Sequence, residues 1–179
     1  MIRTFERAAA VVVAAAAAAL MLSGCQTTIL PPCPSVRIDS TTANLVKFRD
    51  GGGETAGEVA YEAQLVSFSG NCENVDDGIS VTLDVEGVIA AGPATQGGRA
   101  DLYYFVAIPQ FFPQPHGKSV FRLRADIPKQ PGARETISER GIRVFIPLKD
   151  QEPAAAFDIY VGFQLDDAQL NFNRARRQQ

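Results

Sequence analysis

The segment 157-FDIYVGFQL-165 decides the fold class. Phe157, Ile159, Val161, Phe163 and Leu165 fall on one face of an extended chain, with Asp158, Tyr160, Gly162 and Gln164 on the other. A helix would scatter those five apolar side chains around its circumference, so a period of two over nine residues reads as a half-buried strand. Working outward, the same period recurs. Ile79, Val81, Leu83, Val85 and Gly87 alternate with Ser80, Thr82, Asp84 and Glu86; Phe121, Leu123, Ala125 and Ile127 alternate with Arg122, Arg124 and Asp126. Ile142, Val144 and Ile146 alternate with Arg143 and Phe145, while weaker patterns cover 36–38 and 59–68. The run 102–108 is apolar on both faces, as expected of a central strand.

Between these runs lie "NVDDG", "GPATQGG", "FPQPHG" and "PKQPGARE", each rich in turn-forming residues. About seven strands at that spacing point to an all-β fold, an antiparallel β-sandwich of the immunoglobulin or fibronectin type. A small closed β-barrel is the alternative. The inter-sheet tryptophan of antibody domains is missing, because the chain has no Trp. After Leu165 the period changes. Asp166 or Asp167 is placed to cap a short C-terminal helix from about Asp167, ending in a basic tail with Arg174, Arg176 and Arg177, favourable for the helix dipole.

The N-terminus is of another kind. Arg3 and Arg7 precede an apolar run over 8–22, and Ser23 and Gly24 follow it, which is the layout of an export signal. Fifteen residues fall short of the ~20 needed to span a bilayer core. Leu22-Ser23-Gly24-Cys25 resembles the bacterial lipobox, and the resemblance implies cleavage after residue 24 and lipidation of Cys25. Two or three acyl chains at ~0.8 kcal/mol per buried CH₂ make a stable anchor. Gln26, in place of the Asp that favours inner-membrane retention, implies the outer membrane. The segment 25–32, ending in Pro31-Pro32, reads as a lipidated tether, and 33–166 as the folded domain.

With Cys25 assigned to lipid, Cys33 and Cys72 form an even remainder in an exported chain and read as one disulfide. The Cys33-Pro34-Ser35-Val36 start, a second cysteine at a strand end and a sandwich pattern together resemble small alphaproteobacterial envelope lipoproteins. That resemblance implies localisation and fold, and no activity. A Cys-Pro element also occurs in some accessory lipoproteins of outer-membrane protein assembly.

Removing Arg3, Arg7 and Glu6 with the leader leaves 15 of the 17 basic residues and 19 of the 20 acidic ones. A mildly acidic domain is a poor match for nucleic acid, and the expected partners are the membrane, through the lipid, and an envelope protein. No nucleophile elbow, phosphate loop or zinc-protease motif occurs, and His116, the only histidine, sits in a turn-like "QPHGK". The chain therefore reads as a non-enzymatic interaction or scaffold module, with no catalytic residues, metal site or cofactor expected. Glu73, Asn74, Asp76 and Asp77 offer oxygen ligands but fit no EF-hand spacing, and a solvated hairpin accounts for them equally. Phe111 and Phe112, between prolines in a loop, are the candidate partner patch; the bland alternative is a loop folded over the end of the sandwich. A second functional reading, binding of a small ligand or glycan, requires a pocket walled by Tyr103, Tyr104 or Tyr160.

Overall fold

A computed structural model describes residues 32–149 and 152–177; the expected signal and the expected lipidation at Cys25 lie outside these residues. Eight strands form two four-stranded sheets. They are β1 (Ser35–Ile38), β2 (Asn44–Phe48), β3 (Val59–Val75), β4 (Gly78–Ala91), β5 (Gly98–Ala107), β6 (Lys118–Ile127), β7 (Arg134–Pro147) and β8 (Asp158–Phe163). The first sheet has the order β1-β8-β5-β6 and the second β2-β3-β4-β7. All pairs are antiparallel except β1 with β8. The chain crosses between sheets from β4 to β5 and again from β7 to β8, while β4 pairs with β7 and β5 with β8. This interlock matches the B–E and C–F pairs of immunoglobulin-like sandwiches. The two sheets do not join into a closed barrel.

The core is built by the residues that the alternation marked. Ile79, Val81, Leu83, Val85 and Ile89 from β4 meet Leu102, Tyr104 and Val106 from β5, and Ile159, Val161 and Phe163 from β8. Phe157 is buried as well, and Leu165 packs at the margin. As the two-sided apolarity of 102–108 implies, β5 is central, flanked by β6 and β8. On the outer side of β8, a Cβ at Gly162 would collide with the Thr42 side chain and the Phe105 ring. Glycine there lets the β1–β2 connection lie on the sheet.

Two corrections to the sequence reading concern one sheet. Among the described residues there are eight strands rather than about seven, β2 being the addition. In addition, β3 runs to Val75 rather than ending at Phe68. A bulge at Val66 explains the second. Leu65 pairs with Gly87 and Ser67 with Glu86, leaving one extra residue between them. The inward positions are odd-numbered before the bulge (Ala63, Leu65) and even-numbered after it (Phe68, Gly70, Cys72), so the alternation changes parity mid-strand.

The helix α1 (Asp167–Arg176) starts at Asp166 in a reciprocal capping box. Asp166 Oδ1 accepts from the Gln169 backbone N–H at 2.8 Å, and Gln169 Oε1 accepts from the Asp166 N–H at 3.1 Å.

Candidate functional site

Cys33 lies two residues before β1, on the edge of the first sheet, and Cys72 lies near the end of β3 in the second. They form the disulfide that cysteine counting predicted, with Cα atoms 5.8 Å apart. Beside it the sheets part slightly around a shallow apolar groove of about 210 Å³, lined by Pro34, Val36, Phe68 and Leu83 among others. Phe68 is left half-exposed there.

The aromatic loop lies at the same end of the sandwich. Its backbone is closely hydrogen-bonded: the Ile108 N–H donates to the Gly117 carbonyl at 2.8 Å, Phe112 to Pro109 at 3.1 Å, and Gln114 to Phe111 at 2.7 Å. The peptide bond between Phe112 and Pro113 is cis. This loop separates the two phenylalanines. Phe111 stacks on Phe157 with centroids 5.2 Å apart and takes the His116 ring edge-on at 4.7 Å. Gln110 Nε2 donates to the Ala156 carbonyl at 3.2 Å, tying the loop to the segment before β8. Phe112 points away and is 75% exposed. Half of the predicted patch therefore belongs to the packing of the sandwich end, and half does not.

Between this loop and residues 147–149 and 152–157 is an open cleft of about 490 Å³, lined by His116, Gln114, Lys149 and Glu152. The imidazole and one carboxylate thus share a cleft. Among the described residues no serine, threonine or cysteine lines it. Glu152 Oε2 already accepts from the Lys149 backbone N–H at 3.1 Å. Glu73, Asn74, Asp76 and Asp77 occupy the end of β3 and the β3–β4 turn, where Asp77 takes a left-handed φ of 64°. Among the described residues no three His, Cys, Asp or Glu side chains converge as metal ligands would.

The three tyrosines do not wall a pocket together. Tyr104 is 2% exposed in the core and stacks on Phe121 at 5.3 Å. Burial holds its phenol well above the usual range, and the nearby Glu139 charge adds to the shift. Tyr103 and Tyr160 point to the opposite side, the outer face of the first sheet. On that face Tyr103 sits across from Arg122, and Phe105 across from Val120. Tyr103 and Val120 are each about half exposed, at 47% and 50%. Lys118 Nζ rests 4.5 Å from the centre of the Phe105 ring. Three ion pairs frame the patch: Arg37 with Asp158 at 3.7 Å, Arg124 with Asp101 at 3.6 Å, and Arg99 with Asp126 at 3.2 Å. The side chains are exposed, so these pairs contribute little to stability and mainly define a polar rim.

Searches against protein-family models, curated proteins and solved structures give no match to this chain. Sequence reasoning missed the role of α1, whose polar side chains serve the sheet edge. Gln169 Nε2 donates to the Val46 carbonyl at 3.1 Å, and Asn173 Nδ2 to the carbonyls of Asn44 at 2.7 Å and Thr41 at 3.2 Å. The available signal was their spacing, since residues four apart share one helix face. The C-terminal arginines are also partly committed, because Arg176 pairs with Glu62 at 3.5 Å and lies over Phe172.

Proposed function

We propose that the protein is a lipid-anchored envelope protein whose sandwich acts as a non-enzymatic interaction module, held on the outer membrane and facing the periplasm. The lipobox-like Leu22-Ser23-Gly24-Cys25 supports the anchor. The Cys33–Cys72 disulfide fits an oxidising compartment. No helix among the described residues is long and apolar enough to cross a membrane.

The observation that carries the interaction role is the outer face of the first sheet. Tyr103 and Val120 lie uncovered among Arg122, Lys118 and a rim of ion pairs. Exposed aromatics, arginine and a polar rim are the composition of protein-binding surfaces. The partner is an envelope protein, and an accessory part in outer-membrane assembly fits this reading.

Site-resolved photo-crosslinking in intact envelopes tests it. A photoreactive side chain at Tyr103 should give one discrete product, and the same group at Thr136, on the outer face of the other sheet, should not. Equal labelling from the two positions would remove the interaction surface.

A further inference from the structure

The disulfide and the exposed phenylalanine share one end of the sandwich. In the first sheet Ser35 is in register with Asp158, and Ala107 with Lys118. The Ser35 N–H donates to the Phe157 carbonyl at 3.2 Å, and Phe157 carries the Phe111 ring. The chain therefore enters the domain, at Cys33, on the same end that holds Phe112 out into solvent. We propose that this end faces the lipid bilayer and that Phe112 inserts into the bilayer's interfacial layer.

The proposal rests on the lipid-anchor reading and extends it. Gln26–Pro32 is seven residues, which reach at most roughly 25 Å when extended. A foot of that length keeps the end of the domain beside the headgroups at high effective concentration. A single phenylalanine then suffices to orient the domain. Moving its ring out of water is worth roughly a ten- to hundredfold preference, too little to bind a free protein but enough to bias a tethered one.

Charge on the loop is compatible with that destination. The segment 108–118, IPQFFPQPHGK, contains no acid, and it presents His116 and Lys118 next to glutamines and prolines. The carboxylates of this end lie outside that segment: Glu152 faces the loop across the cleft and accepts from the Lys149 N–H at 3.1 Å. Asp158 is paired with Arg37, and Asp76 and Asp77 occupy the β3–β4 turn in the other sheet. A protein partner for Phe112 has no comparable support, because the loop offers one ring and little area around it.

The chain has no tryptophan, so Phe112→Trp introduces a single fluorescent reporter. The test uses the full lipidated protein in vesicles of phosphatidylethanolamine and phosphatidylglycerol whose acyl chains carry bromine as a quencher. Gln130→Trp, in the exposed β6–β7 connection at the opposite end, is the control. The reporter at position 112 should lose about half or more of its emission, as expected for a ring about 5–10 Å into the interface, and the control should be unquenched. If protein that floats with the vesicles shows equal quenching at the two positions, the insertion is refuted while the anchor stands. If the protein does not float, the anchor fails and the insertion with it.

Discussion

Up to Leu65, β3 lies between β2 and β4; from Val66 to Val75 it has β4 alone among the described strands. The first half is protected on its far side as well. β2 is the sheet edge, but Gln169 and Asn173 fill its free carbonyls, and Val46 on its outer side is only 2% exposed. Among the described residues the second half has no strand on its far side, and the bridge from Cys72 to Cys33 links it covalently to the start of the other sheet. One strand thus shows two ways of managing an unpaired edge: side-chain cover in one half, and a bulge with a covalent staple in the other.

The largest expected effect comes from breaking the staple. The bridge closes a loop of 39 residues, worth about 4 kcal/mol in the chain-entropy model. The Cys33→Ser, Cys72→Ser double variant should lose most of that in chemical denaturation. Its amide exchange should quicken over 66–75 and remain slow over 59–65. A uniform increase along the whole of β3 would erase the distinction between the halves.

Opening the covered half is the next test. Asn173→Ala leaves the Asn44 and Thr41 carbonyls without their donor, at a cost of about 1–3 kcal/mol. Exchange should then rise in β2 and the first half of β3, with the disulfide-bonded half unchanged. A variant as stable as the parent would show that α1 is not what covers this edge.

The smallest effect at neutral pH is expected from Tyr104, in the core common to both halves. Its phenol titrates above the ordinary 10.0 in the folded state because burial disfavours the phenolate. The stabilisation linked to this shift is complete below pH 10 and is lost as pH rises through the higher folded value. Lys47, raised by its hydrogen bond to Asp50, acts in the same direction from the surface. Tyr104→Phe should leave the neutral-pH melting temperature nearly unchanged and reduce the alkaline loss. An identical alkaline profile in the two proteins would exclude Tyr104 as its source.

The two halves of β3 also explain what the sequence could reveal. Strands buried on one face along their whole length, such as β4 and β8, carry an unbroken alternation and were legible. The second half of β3, SGNCENV, has only one strand neighbour and little to bury, so its residues are polar and its period is hidden. β2 was missed because its outer residue Val46 is buried by α1 while its inner residue Leu45 faces the core, which leaves two adjacent apolar residues instead of an alternation. Cysteine counting found the disulfide without knowledge of the fold. The separation of Phe111 from Phe112 was not legible, because it depends on Phe157, 46 residues further along the chain, being placed under one ring and not the other.

The lipid anchor is the claim on which the functional reading stands, and intact-mass analysis of the protein purified from membranes tests it most directly. The predicted mature chain begins at Cys25 and carries diacylglyceryl and acyl groups on that residue, with Cys33 and Cys72 joined as a disulfide. An unmodified Cys25, or a peptide in which Cys25 is bonded to Cys33, would contradict the account.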